Sequence, residues 1–368
     1  MPTKRRAYTS ALQKKVNRKI KKRYPNARKK ARMVGLAVFS ILISATVIVS
    51  FSIYKFMTAP FSSASNADFT DTKRVFKDDF TNIILIELND IDDKYSNVNK
   101  LTLVNFDRTN SRYFIYHIPV DVPVSYPLNY DPDTFSNMYK IGNADQERGI
   151  YLIKKTILRN FAVKIDGYIV IDSNGYKKID EIIGEIDEND LSLVLRLKNT
   201  PKLPNLIMTF REVALTNLKA SDIYDIFEFL KNTSNTSSYV TTLNKYHLLD
   251  ETNWDNLWRE NLGIYSLHKE SVKVFIANGS KDPKIAGLAS WGGRVVENLG
   301  ADVLELDNSY ADFNENTIVT DDYTLNTVKK LSETLEIKNI IHVNDLDKSA
   351  RQNPQFLRTP VSVVITSW

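Results

Sequence analysis

The feature that most constrains this chain is a switch in character near its start. Residues 1–32 carry fourteen Lys/Arg and no Asp or Glu, and they run directly into an uncharged apolar stretch from Met33 to Tyr54. At about 1.5 Å of rise per residue a helix of that length crosses a hydrocarbon core of roughly 30 Å, and the basic excess holds its own end on the cytoplasmic side. The expected organisation is a basic cytoplasmic tail over 1–32, a single transmembrane helix over 33–56 and a linker over 57–75, with the rest of the chain outside the cytoplasm. Ser65-Asn66-Ala67 offers small residues where a signal peptidase could cut. The apolar run, however, exceeds the roughly 7–15 residues of a cleavable core, and the basic region before it is too long.

The whole-chain charge of +5 hides this asymmetry. Setting aside the tail's fourteen basic residues leaves 35 Lys/Arg against 44 Asp/Glu, so the remaining chain is acidic at −9. An acidic body without a groove-reading motif is no general nucleic-acid binder, and the basic tail is accounted for by anionic lipid headgroups. The chain has no cysteine, which excludes disulfides, thiolate chemistry and a Cys-ligated zinc. An exported body of that kind rests on its hydrophobic cores, and about three hundred residues suffice for two.

The pattern of apolar residues is that of an α/β protein. Asn82–Leu88 reads as a buried strand followed by an Asp-rich turn, and Lys100–Phe106 and Arg112–Ile118 alternate around Arg108-Thr109-Asn110 as a hairpin. Gly149–Phe161 places Ile150, Leu152, Ile153, Ile157 and Phe161 on one helical face, and the strand Gly167–Ile171 follows. Ser173-Asn174-Gly175 then turns the chain into a helix over Tyr176–Ile183, closed by Gly184. Helix and strand alternate, so a first domain is expected over 76–260. Asn232–Ser238 is a polar, low-complexity stretch within it, and Trp254 and Trp258, four residues apart, point to a helical face used for core packing or domain docking.

At Val163–Asp187 the string VKIDGYIVIDSNGYKKIDEIIGEID resembles a segment of the LytR-CpsA-Psr family. Other pieces follow in that family's order: the anchor, Thr81–Leu85 for its first strand, His117-Ile118-Pro119-Val120-Asp121 where the family reads S-I-P-R-D, and Val213–Leu218 for its T-N-L stretch. Membership would imply an extracytoplasmic transferase with an apolar lipid pocket in an α/β fold. Such enzymes move a glycopolymer from a polyprenyl-pyrophosphate carrier to peptidoglycan with Mg²⁺. That chemistry needs guanidinium forks for the pyrophosphate and carboxylates for the metal. Here Asp121 stands at a family position and Asp90 one place from another, so these two are the metal candidates. The guanidinium groups are missing. Asn97-Val98-Asn99 replaces R-S-D, Val120 replaces the arginine of I-P-R-D, and the Tyr-x-Arg-x-Arg stretch is absent as Glu185-Ile186-Asp187 passes to Leu191–Leu197 and Pro201–Pro204. Replacing Arg by Val removes five donors and a charge from the phosphate site.

The remainder, 271–368 after a linker over 261–270, reads as a compact β-α-β-β-α-β-β unit. Its strands are expected at Ser271–Asn278, Ala301–Leu306, Asn316–Thr320, Ile340–Val343 and Val361–Ile365, with helices at Ile285–Leu299 and Leu325–Leu335. Gly287, Gly292 and Gly293 are expected to let the first of those helices approach the sheet, and Gly300 to end it. This unit resembles the LytR C-terminal domain through Val272–Ser280, Gly287-Leu288-Ala289 and Gly300-Ala301-Asp302-Val303. Asn278-Gly279-Ser280 lacks the Gly-Lys-Ser/Thr ending of a P-loop and reads as a tight turn.

Asp90, Asp92 and Asp93 have neither the glycine nor the terminal glutamate of a calcium loop, and a solvated acidic turn is the simpler reading. His117, His247, His268 and His342 show no metal-ligand spacing, and no serine sits in G-x-S-x-G. The expectation is therefore a single-pass cell-membrane protein with an extracytoplasmic body, without catalysis or cofactor, binding a cell-wall glycan or an envelope protein. The alternative is a divergent Mg²⁺-dependent transferase that uses Asp121 and Asp90 with arginines outside the family positions, such as Arg108, Arg112 or Arg211. Two or more guanidinium groups beside Asp121 would favour it.

Overall fold

A computed structural model of the chain describes residues 14, 43–44, 46–58, 61, 74–127, 130–183, 203–233, 238–245, 250–262, 266–280, 286–309 and 313–367. The chain divides into two units, Met1–Ala59 and Pro60–Trp368. In the first unit, 46–58 are helical and Val47, Ile48, Val49, Phe51, Ile53 and Tyr54 are exposed. Most of the expected anchor, 33–42 and residue 45, lies outside the described residues, and among the described residues no helix is long and apolar enough to cross a membrane.

Among the described residues the second unit holds two large sheets and a small antiparallel pair, Pro123–Val124 with Asp133–Thr134. Strands β1 (Phe80–Leu88), β2 (Val98–Asp107), β3 (Arg112–Ile118), β4 (Gly167–Asp172), β5 (Leu215–Thr216) and β6 (Ser238–Thr242) form a six-stranded sheet in the order β5-β4-β1-β2-β3-β6. The sheet is mixed: β1 lies antiparallel to β2 and β2 to β3, while β4 joins β1 and β6 joins β3 in parallel. Helix α1 (Met138–Ala144) and α2 (Gly149–Phe161) lie between β3 and β4, α3 (Ser173–Ile183), α4 (Leu203–Val213) and α5 (Ala220–Asn232) come later, and α6 (Glu251–Leu262) follows β6. All five residues expected on the apolar face of α2 are buried, and the helix ends where Ala162 turns left-handed at φ 53° and its N–H returns to Leu158 O. The polar stretch 232–238 joins α5 to β6, so it lies inside this sheet's topology.

The second sheet contains β7 (Lys273–Asn278), β8 (Asp302–Asn308), β9 (Thr317–Thr320), β10 (Asn339–His342) and β11 (Val361–Ile365) in the order β8-β7-β11-β9-β10. Its helices are α7 (Ser266–Glu270), α8 (Leu288–Asn298), α9 (Asn326–Leu335) and the short α10 (Gln355–Arg358). Part of the expected linker 261–270 is thus the helix α7. Gly292 and Gly293 do bring α8 onto the sheet, since a Cβ on either would meet Ile365 or Leu306. Gly287 differs: nothing lies within 4 Å, and its φ of +83° is what requires glycine.

The two sheets share α2 and α6. Leu158 of α2 and Ala162 at its end pack into the core of the second sheet, while Trp254 and Trp258 of α6 pack into that of the first. Both indoles are buried with their N–H satisfied, Trp254 by Phe161 O at 2.7 Å and Trp258 by Asn298 O at 3.1 Å. Beneath them Arg294 of α8 grips the buried Asp255 of α6 through two bonds of 2.7 and 3.1 Å. Bidentate geometry of this kind fixes orientation as well as adding energy.

Candidate functional site

Because β1, β3, β4 and β6 run in the same direction, their carboxyl ends gather at one edge of the first sheet. Loops leaving that edge are where open α/β sheets hold ligands. They carry all the acidic residues singled out from the sequence: Asp90, Asp92 and Asp93 after β1, and Asp121 after β3.

Asp90 is exposed and its Oδ1 accepts the N–H of Asp92 at 2.9 Å, while Asp93 Oδ1 accepts that of Tyr95 at 2.9 Å. The loop is thus built from side chains that close their own turns, as short carboxylates do. Ser96 adds to it by accepting the Asp90 N–H at 2.9 Å. Asp121 is exposed in the turn that leaves β3. A fifth carboxylate, not singled out from the sequence, completes this edge. Asp172, at the end of β4, is 6 % exposed and accepts Gly175 N–H at 2.7 Å and Ile91 N–H at 3.4 Å. It occupies the N-cap position of α3, which therefore starts at Ser173 rather than after the expected Ser-Asn-Gly turn. The signal was present in the sequence as an aspartate at a strand end, three residues before the glycine whose N–H it accepts.

Among the described residues no group of three or more His, Asp or Glu could hold a metal ion. Asp90 and Asp121 stand on separate loops, and one oxygen of Asp90 already accepts a backbone amide. A Mg²⁺ ion here would take at most one or two protein carboxylates and complete its shell with water and substrate phosphate.

The arginines are placed elsewhere. Arg112 begins β3 and Asp121 follows its other end, so six residues of extended chain at about 3.3 Å each put roughly 20 Å between the two ends of that strand. Its guanidinium is committed to the fully buried Asp107 at 2.7 and 3.2 Å, reaches Asn261 O at 3.3 Å and lies 5.3 Å from the Phe114 ring centre. Arg108 follows β2 at the same, amino edge and stacks 5.1 Å over Phe76, while Arg211 of α4 stacks 5.6 Å over Phe61. Nearer the acidic loop, Arg148 follows α1, whose Asn143 donates to Lys94 O, but its guanidinium donates to Gln146 at 2.6 Å. The convergence of arginines on Asp121 that the transferase alternative needs is not formed by Arg108 or Arg112.

The positions where the resemblance would need arginine are occupied by residues serving the fold. Val120 packs against the core and its carbonyl accepts Ser136 N–H at 2.8 Å, and Asn97 O accepts Asn89 N–H at 3.1 Å. The segments around 185–187, 191–197 and 201–202, where the family's further arginines would fall, lie outside the described residues, as does Gly184. On the sheet face under α2 and α6, the rings of Phe135, Phe161, Tyr116, Trp254 and Trp258 fill one another's space at centre distances of 4.8 to 6.0 Å.

The histidines play local roles. His117 Nδ1 lies 3.0 Å from Thr102 Oγ1, and burial together with the charge of Lys100 lowers its pKa, keeping the ring neutral. His342 Nδ1 accepts Asn344 N–H at 3.0 Å, while His247 and the side chain of His268 lie outside the described residues. Asn278-Gly279-Ser280 is the tight turn expected: Ser280 N–H returns to Asn278 Oδ1 at 3.0 Å, and Gly279 N–H to Ile365 O at 2.8 Å.

No protein-family model matches this chain, and no curated protein matches it. Among solved structures it is similar to TagV of B. subtilis, with 13 % identity over 46 % of this chain and 85 % of that one at a TM-score of 0.38. It is similar also to the LytR-CPS2A-psr family protein YwtF (TagT) with bound octaprenyl pyrophosphate lipid, with 15 % identity over 55 % of this chain and 98 % of that one at a TM-score of 0.35. A third is the Lin1025 protein of Listeria innocua, with 14 % identity over 51 % of this chain and all of that one at a TM-score of 0.34.

Proposed function

We propose that this chain is a membrane-anchored, extracytoplasmic protein of the cell envelope, in which a scaffold of LytR-CpsA-Psr type serves binding or assembly in cell-wall biogenesis rather than glycopolymer transfer. The anchoring and orientation rest on the basic residues of 1–32 followed by the apolar run 33–54. The family scaffold rests on the five ordered sequence pieces around Val163–Asp187. The observation that carries the non-catalytic reading is the placement of Arg112: roughly a strand's length from Asp121 and locked onto Asp107. A pyrophosphate carries charge that a transferring site must neutralise with fixed donors, and an exposed carboxylate that meets no guanidinium among the described residues repels it. The partner is then a cell-wall glycan or an envelope protein.

Reconstitution in membranes with a polyprenyl-pyrophosphate-linked glycan and peptidoglycan tests the reading. The expected result is transfer no faster than with empty membranes, with or without Mg²⁺. Mg²⁺-dependent transfer abolished by Asp121→Ala would replace it with the divergent-transferase alternative. Protease added to intact spheroplasts should digest the body and spare the tail; digestion of the tail alone would reverse the orientation.

A further inference from the structure

At the amino edge of the first sheet, where β1 begins, a cleft of about 290 Å³ opens between that sheet and helices α8 and α9 of the second. This volume is near the lower end of small-molecule sites, which start at about 300 Å³. Its charges are unevenly partnered. Lys330 of α9 donates to Asp78 across the cleft, and Lys164 lies 3.6 Å from Asp166. Lys77 and Lys329 also line it and are exposed, and their charges bear on the same Asp78 carboxylate that Lys330 already holds. Four lysines (Lys77, Lys164, Lys329, Lys330) thus line the cleft against three aspartates (Asp78, Asp79, Asp166), an excess of one positive charge for a ligand to neutralise.

A second, independent observation lies at the floor. Asn105 is 2 % exposed and faces Asn82 in register across β1 and β2. Asn82 Nδ2 donates to Lys164 O at 2.9 Å, which makes Asn82 Oδ1 the acceptor for Asn105 Nδ2 at 2.7 Å. This chain of bonds fixes the orientation of both amides. The carbonyl oxygen of Asn105 is left without a partner among the described residues, in a side chain that lines the cleft. That oxygen opens on the cleft, where a ligand hydroxyl would take the place of water as its donor.

We propose that this cleft binds a small hydroxylated anion, of the size and chemistry of a hexose phosphate, with its anionic group between Lys77 and Lys329 and a hydroxyl on the carbonyl oxygen of Asn105. The same chemistry is offered by a free sugar phosphate and by a phosphorylated glycan end. The site draws on both sheets, so its ligand bridges them. It is separate from the acidic edge, and the envelope role stands or falls without it.

The test is calorimetric titration of the full chain in detergent micelles with glucose 6-phosphate, inorganic phosphate and glucose, then with a glycan bearing a terminal sugar phosphate. Glucose 6-phosphate should saturate one site at least about tenfold more tightly than phosphate or glucose, and weaken as salt rises. Lys77→Ala and Lys329→Ala should each weaken it about tenfold or more, the loss of one charge-assisted bond, whereas Lys273→Ala on β7 should leave it unchanged. Asn105→Ala should weaken glucose 6-phosphate and leave phosphate binding as it was, which also reports that the variant is folded. Tighter binding of the glycan end than of glucose 6-phosphate would identify the polymer as the source, and equal binding the free sugar phosphate. Absence of saturable binding, or binding indifferent to the Lys77 and Lys329 substitutions, overturns the site; phosphate binding as tightly as the sugar phosphate overturns the hydroxyl contact.

Discussion

At the amino edge of the six-stranded sheet, buried carboxylates are surrounded by donors. Asp107 takes two bonds from Arg112 and two from Asn110, and Asp222, fully buried, takes the amides of Phe76 and Lys219 with Arg74 at 3.7 Å. At the carboxyl edge of the same sheet Asp90, Asp92, Asp93 and Asp121 face solvent, and the bonds they make there are turns within one loop. The two edges differ in what holds their charge. At one, removing a partner strands a buried ion; at the other, the buried Asp172 apart, water replaces whatever is lost. Acidic residues clustered in a sequence therefore say little about a site until their burial and their counter-charges are known.

This contrast can be broken by substitution. Asp107→Ala leaves Arg112 without its carboxylate and two asparagine donors unmet, and should cost roughly 3 kcal/mol in urea unfolding. A cost below about 1 kcal/mol would mean that water reaches the pair freely. Asp172→Ala, which uncaps α3 and releases the Ile91 amide, should cost about 1–2 kcal/mol, and Asp172→Asn less, because an amide oxygen still accepts. Equal losses for both replacements would show that charge, not acceptance, is what matters there.

The pH dependence sharpens the same comparison with smaller effects. Burial and Lys100 hold the His117 pKa below its ordinary 6.5, so the unfolded chain binds more protons than the folded one as pH falls past that value. Stability from this group is present at neutral pH and lost below about 6.5, and His117→Gln should flatten the melting temperature over that interval. At Asp78 burial pushes the carboxyl up, but the Lys330 bond and the charges of Lys330, Lys77 and Lys329 outweigh it and hold it below 3.8. That contribution is present above 3.8 and lost as pH falls through the lowered value; Lys330→Ala should shrink the acid-side loss, and an unchanged acid limb would contradict the pairing. Smallest of all, Asp121→Ala and Asp90→Ala should stay within about 0.5 kcal/mol of the parent, as solvated surface changes do, and a larger loss at Asp121 would reveal a partner there.

The regular elements were legible because their periodicity is strong. Gly149–Phe161 and the strands Arg112–Ile118 and Val361–Ile365 occupy the positions their apolar patterns dictate, and the Trp254/Trp258 stripe does dock the two sheets. Helices α4 and α5 and strand β6 were less so, since β6 is an edge strand with Tyr239 and Val240 exposed and its pattern does not alternate against a core. The site was legible only as a set of residue types. Asp90 and Asp121 could be named from resemblance, but that Arg108 and Arg112 sit at the opposite edge follows from strand direction, which a local pattern does not specify. Asn105 was hidden for a similar reason: its unmet oxygen depends on a partner 23 residues away.

The most direct test of the contrast between the edges is amide hydrogen exchange of the full chain in detergent with Mg²⁺ and inorganic pyrophosphate, read by mass spectrometry. The account predicts that any protection falls at 76–82 and 325–331, around Lys77 and Lys329, with 89–97 and 119–123 unchanged. Mg²⁺-dependent protection of 89–97 and 119–123 that disappears in Asp121→Ala would contradict it, and would place a pyrophosphate site at the acidic edge.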